Sequence, residues 1–157
     1  MTNISHLCIM TLNYSTCRTP SESTMYDYPT LLRQHQLKAT PQRTAILQLM
    51  EAEGHISIET IYERIKGLFP SLSLATIYKN MIAMQEQGIV KELKIAGLKN
   101  RYEIQKAPHH HMVCQKCGTI VDVEIDVFGE LETLSQSHGF ELKDIDLSLS
   151  GICKDCR

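Results

Sequence analysis

The chain has 157 residues, 43% of them hydrophobic and 22% charged, which suits one large domain or two small ones with a buried core and excludes a disordered type. With no Trp and only three Phe, that core has to rest on Leu, Ile, Val, Met and Tyr. The formal charge of −2 is uneven, with ten Lys/Arg against eight Asp/Glu in residues 25–105 and five against nine in residues 106–157, a split that fits a DNA-facing part joined to a metal-gathering one but is small enough to be ordinary surface variation.

Residues 1–24 are rich in Ser and Thr and show no periodicity, so they are expected to be a tail or a non-native extension, with Cys8 and Cys17 in it. The best apolar stretch there, Leu7 to Leu12, is short, broken by Thr11 and without a basic segment before it. It does not read as a signal peptide, and no apolar run approaches the roughly 20 residues of a membrane helix, so a cytoplasmic protein is expected. In that compartment the six cysteines are expected as thiols or metal ligands rather than disulfides.

From Tyr28 the punctuation becomes regular. Pro29 can open a helix carrying Leu31, Leu32 and His35. Thr40 can cap a second, with Pro41 in its first turn and Ala45, Ile46, Leu49 and Met50 on one face, ending at Gly54. Ser57 can cap a third, with Ile58, Ile61, Tyr62, Ile65 and Leu68 at helical spacing, closed by Pro70. Ser73 can cap a fourth that buries Leu74, Ile77, Met81 and Met84 and stops at Gly88.

The period then changes. Ile89 to Ile95 reads as a strand, Gly97 to Asn100 as a turn and Arg101 to Ile104 as the partner strand. Helices followed by a β-hairpin is the order of a winged helix. The fourth helix is the candidate recognition helix, since Ala75, Thr76, Lys79 and Asn80 lie off its apolar stripe where they can face base edges and phosphates, or simply water. After Pro108 come His109 to Val113 and the first Cys pair. Thr119 to Ile125 alternates like a strand, Asp126 to Ser137 reads as a helix, and Phe140 to Ile152 as one or two returning strands.

Two constellations carry chemistry. Cys114-x-x-Cys117 and Cys153-x-x-Cys156 offer four soft ligands, enough for a closed, structural zinc site, and Gly118 lets the backbone turn at the first pair. A thioredoxin-like redox pair is the rival, and it has no use for a second pair. The other constellation is mixed. His109 and His111 leave one face of a strand, Glu103 lies on the wing strand, Asp122 on the next strand and His55 in the turn before the third helix. Three imidazoles and two carboxylates suit Fe(II), Mn(II) or Zn(II); a His-rich surface tract is the bland alternative.

Lys38-Ala39-Thr40-Pro41-Gln42-Arg43, Ser73-Leu74-Ala75-Thr76-Ile77-Tyr78-Lys79-Asn80, His109-x-His111-x-x-Cys114-x-x-Cys117-Gly118 and the closing Cys pair, in that order, resemble the ferric uptake regulator family over residues 26–157. The resemblance implies an α+β protein that is not an enzyme. It implies a winged-helix DNA-binding domain at 25–106, a small α/β dimerisation domain with a four-cysteine zinc site at 107–157, and a homodimer on a palindromic operator in double-stranded DNA. It further implies structural Zn(2+) on Cys114, Cys117, Cys153 and Cys156 and regulatory Fe(2+) or Mn(2+) on His55, Glu103, His109, His111 and Asp122. Lys38, Arg43, Thr76, Tyr78, Lys79 and Asn80 are the implied DNA contacts.

Two departures from the family pattern matter. Ile145, Pro108 and His110 stand where a further metal site of the family has its ligands, leaving His110, Glu130 and His138 as substitutes. Asp122 replaces the Glu of iron sensors and the recognition helix reads Tyr-Lys-Asn, both similar to the peroxide-responsive branch, in which the histidines matching His55 and His109 are oxidised. Glu103 is closer to the iron sensors, so an iron-responsive regulator without peroxide sensing is the alternative. A zinc-ribbon interaction module and a metal hydrolase are the rivals from other classes, the latter without a nucleophile or general-base motif.

Overall fold

The computed structural model describes residues 27–95 and 97–157, so the expectations for residues 1–24 lie outside the described residues. Four helices come first: α1 (Tyr28–Gln34), α2 (Pro41–Glu53), α3 (Ile58–Ile65) and α4 (Leu74–Glu86). Asp27, Thr40, Ser57 and Ser73 each accept a hydrogen bond from the backbone N–H three residues on, which satisfies one of the orphan donors at each helix start. Gly54, at φ 72°, ends α2 in a conformation that costs glycine little.

Leu32, Ile46, Leu47, Ile61, Ile77, Met81 and Met84 are fully enclosed between these helices, and each such side chain contributes about 1.5–3 kcal/mol relative to exposure. Two residues depart from the expected faces. α3 stops at Ile65, leaving Leu68 71% exposed, and Leu74 is 38% exposed in the first turn of α4. Both sit at helix ends, where periodicity gives a side chain's direction but not whether another element reaches far enough to cover it.

The wing is β1 (Val90–Leu93) paired antiparallel with β2 (Arg101–Ile104), Lys91 facing Glu103 in the register. An isolated bridge joins Ile56 to Tyr102, with backbone hydrogen bonds of 3.1 and 2.8 Å, and so ties the α2–α3 turn to the wing.

The rest of the chain forms β3 (His110–Cys114), β4 (Ile120–Val123), α5 (Phe128–Ser137), β5 (Ser148–Gly151) and a closing 3₁₀ turn, Lys154–Cys156. The sheet order is β4-β3-β5; β3 runs antiparallel to β4 and parallel to β5. A parallel neighbour needs a crossover rather than a tight turn, and the segment containing α5 supplies it. Of the return expected over residues 140–152, only β5 is a strand. The fold is therefore mixed α+β. The two parts touch where Leu93 and Ile95 of the wing share a cavity with Val113 and Ile120, flanked by a Lys91–Asp146 ion pair at 3.3 Å.

Candidate metal centre

The parallel register of β3 and β5 sets Cys114 beside Gly151, so the two Cys pairs emerge at the same end of the sheet. All four sulfurs lie within 4.8 Å of one another, and Cys117 Sγ is 3.7 Å from Cys153 Sγ. Four sulfurs at about 2.3 Å from one zinc ion stand about 3.8 Å apart, so the spacing fits a tetrahedral Zn–S₄ site. It is far too long for a disulfide, whose sulfurs are about 2.05 Å apart.

Local backbone supports the thiolate state that a metal requires. The Cys153 N–H donates to Cys114 Sγ at 3.4 Å, and N–H groups of Cys153 and Cys117 bring the Cys114 thiol down to about 6. Contact with Cys153 instead pushes Cys156 up to about 12. Four thiolates crowded together repel, and a cation relieves that. Gly118, at φ 74°, turns the chain at the first pair, and Lys116 Nζ donates to the Cys156 carbonyl at 3.0 Å, fastening one knuckle to the other.

The second cluster is built by two long-range pairings. The Ile56–Tyr102 bridge brings His55 alongside Glu103, and the β3–β4 register places Asp122 opposite His111. His109, just before β3, completes the set, and one ligand atom from each of the five lies within 4.8 Å of the others. The Nε2 atoms of His109, His55 and His111 stand 3.0, 3.2 and 3.4 Å from the same oxygen, Glu103 Oε2. Asp122 Oδ1 is 3.0 Å from His55 Nε2, 3.7 Å from His111 Nε2 and 3.8 Å from His109 Nε2.

Donor atoms at right angles around a first-row ion at about 2.1 Å are about 3.0 Å apart, so the set has the spacing of an ion's ligands. Hydrogen bonding leaves it incomplete. His55 Nε2 and Glu103 Oε1 are buried without a hydrogen bond of proper geometry, which is costly unless something else engages them. His109 Nδ1 is 2.9 Å from the Ala107 carbonyl. A proton there leaves the Nε2 lone pair aimed into the cluster.

Burial works against the Glu103 carboxylate, but the close approach of the His55 and His109 imidazoles outweighs it and carries its pKa down to about 2. Asp122 is likewise opposed by burial and nevertheless lowered, by Lys106. Burial also lowers His111, favouring the neutral ring that binds metal. The cluster thus offers a metal ion two carboxylates and three ring nitrogens. Lys106 was not among the residues singled out from sequence; its signal is a cation placed between two ligands, three residues from each of Glu103 and His109.

The expected DNA-facing residues occupy one neighbourhood of the helical part. Arg43 Nε donates to Asn80 Oδ1 at 3.0 Å, an Arg43 guanidinium N–H donates to the Lys38 carbonyl at 3.0 Å, and Asn80 Nδ2 donates to the Thr76 carbonyl at 3.0 Å. Tyr78 is 42% exposed, and Lys38 and Lys79 are also exposed. His110, Glu130 and His138 do not gather into a metal cluster among the described residues.

Comparison with known proteins agrees with this geometry. Residues 34–150 match the ferric uptake regulator family. The peroxide-responsive repressor PerR of Staphylococcus aureus is 36% identical over 128 residues, 80% of this chain and 86% of that protein. The peroxide operon regulator of Bacillus subtilis is 35% identical over 128 residues, covering 80% and 88%. The crystal structure of the Campylobacter jejuni peroxide stress regulator superposes with a TM-score of 0.66 at 37% identity, covering 81% of this chain and 97% of that one.

Proposed function

This chain belongs to the ferric uptake regulator family, and from that membership we propose that it is a homodimeric, metal-dependent DNA-binding transcriptional repressor that senses peroxide through Fe(II). The observation that carries the proposal is the meeting of His55, Glu103, His109, His111 and Asp122 at one point. Structural Zn(2+) is assigned to Cys114, Cys117, Cys153 and Cys156, and regulatory Fe(2+) or Mn(2+) to the mixed cluster.

Residues 25–106 act as the winged-helix DNA-binding domain and residues 107–157 as the dimerisation domain. His55 and Glu103 belong to the first, His109, His111 and Asp122 to the second. Holding all five on one ion selects one relative orientation of the two domains, and with it one separation of the two DNA-reading helices of a dimer. Lys38, Arg43, Thr76, Tyr78, Lys79 and Asn80 are the residues assigned to DNA, the lysines as phosphate partners and Tyr78 for sequence discrimination. The second copy is expected against the apolar side chains that the C-terminal part exposes, among them Met112, Val121 and Leu149. No helix among the described residues is long and apolar enough to cross a membrane, and a cytoplasmic setting is part of the proposal.

The relatives named above are peroxide regulators by name, and Asp122 in place of Glu is the choice that the resemblance ties to the peroxide-responsive branch, which together favour this reading over iron sensing alone. When bound, Fe(II) would catalyse cleavage of the O–O bond of hydrogen peroxide, the two electrons that reduce the peroxide coming from the ring that is oxidised. The resemblance to the peroxide-responsive branch assigns the oxidation to the His55 and His109 rings, two of the three imidazoles gathered at the site. One peroxide oxygen is gained by a ring carbon and the other leaves as water, and the altered ring no longer holds the domains together. Mass spectrometry of the peroxide-treated iron form is expected to show one added oxygen on His55 or His109 with loss of operator binding, and no change in the manganese form. Asp122→Glu is expected to keep iron-dependent DNA binding while blunting that response. Unmodified histidines with intact operator binding after peroxide would make the protein an iron-responsive regulator instead.

A further inference from the structure

Asp122 uses its two carboxylate oxygens differently. Oδ1 faces the imidazoles, 3.0 Å from His55 Nε2. Oδ2 is hydrogen-bonded by the ammonium of Lys106, which also stands 4.0 Å from Glu103 Oε2. A carboxylate beside a cation can bind it through one oxygen or both. An ammonium that already occupies Oδ2 competes for the second of those contacts, and it adds a like charge beside any ion in the site. Lys106 is short in sequence from both neighbours, three residues after Glu103 and three before His109, so its backbone is fixed by the same segments that fix the ligands.

We propose that Lys106 is a positioning residue of the regulatory site: it holds Asp122 by Oδ2, restricts that carboxylate to a single metal-facing oxygen, and keeps the site's affinity for a divalent ion low. This rests on the ligand assignment proposed above and deepens it. Before an ion arrives, Lys106 offsets the repulsion between the Asp122 and Glu103 carboxylates. Once an ion is present, the contact that Oδ2 would make is left to a small ligand, and hydrogen peroxide is one of suitable size.

The test is Mn(II) titration of the full-length, zinc-loaded dimer, followed by the paramagnetic resonance of free Mn(II). At water's dielectric constant a single positive charge some 6 Å from a divalent ion costs about tenfold in affinity, so Lys106→Met is expected to bind Mn(II) about tenfold more tightly and Lys106→Arg to match the wild type. In an Asp122→Asn background the gain is expected to fall below about threefold, because a lysine without its partner turns to solvent and is screened. Zinc content serves as the folding control. Affinity of Lys106→Met within about twofold of wild type, or weaker, overturns the inference, as does a gain equally large with Asp122→Asn. Mn(II) uptake that is indifferent to His109→Ala overturns the ligand assignment itself, and that control tells the two failures apart.

Discussion

The helical part encloses Leu32, Ile46, Leu47, Ile61, Ile77, Met81 and Met84 completely, whereas α5 buries none of its residues and the C-terminal part leaves Met112, Val121, Ile125, Phe128, Leu134, Phe140, Leu149 and Ile152 between 41 and 73% exposed. One part is stabilised by its own core. The other, with Val113 and Cys114 as its buried apolar residues, has too little core to stand by hydrophobic burial and relies on four thiols gathered at one sheet end and on an apolar surface suited to a second copy. On the proposed assignment the part with its own core would carry the DNA-facing residues, and the mixed cluster, with His55 and Glu103 from one part and His109, His111 and Asp122 from the other, would join it to the part that leans on its thiols.

The largest effect should come from breaking the thiol cluster. Structural zinc binds with roughly 10–16 kcal/mol of apparent free energy, comparable to the about 5–15 kcal/mol that stabilises a whole domain. Cys153→Ser is therefore expected to lose zinc, dimerisation and the protection of β3 and β5 in hydrogen exchange, with α1–α4 still protected. A zinc-free variant that stays dimeric and fully folded would contradict the comparison.

A core truncation in the other part should be smaller and of a different kind. Ile61→Ala is expected to cost about 2–5 kcal/mol in denaturant unfolding, with zinc content unchanged. If zinc were lost with it, the two parts would not be separately stabilised.

The seam between them should show in pH. Glu103 titrates at about 2 against an ordinary 4.5. Its folded value is the lower one, so its contribution is complete above about 4.5 and is lost as pH falls towards 2. The stability difference between the wild type and Glu103→Gln, both without regulatory metal, is expected to shrink across that window. A difference independent of pH there would deny Glu103 its ionised role.

The smallest effect on stability belongs to the exposed face of α4. Lys79→Ala and Tyr78→Ala are each expected to change folding free energy by less than about 0.5 kcal/mol. Lys79→Ala should lower the salt slope of DNA binding by about 0.9, and Tyr78→Ala should reduce discrimination between operator and random DNA. Unchanged operator affinity in both would move DNA recognition to another surface.

Much of this was readable from local chemistry. Caps at Thr40, Ser57 and Ser73, the apolar stripes of α2 and α4 and the turn at Gly54 are set by contacts three and four residues apart, so the sequence alone determined the helices and their order. Residue types likewise determined the donor sets, since four cysteines and a group of histidines and carboxylates have few other uses in such patterns. The tertiary structure decided who meets whom. The parallel pairing of β3 with β5 brings the two Cys pairs together, the Ile56–Tyr102 bridge sets His55 beside Glu103, and the β3–β4 register hands Asp122 to the histidines on one oxygen and to Lys106 on the other. It also left Leu68 and Leu74 exposed. Each of these depends on strand register and on chain closing over dozens of residues, where the winning arrangement is the one whose burial and hydrogen bonds together outweigh the entropy of closing the loops, a comparison that no local pattern contains.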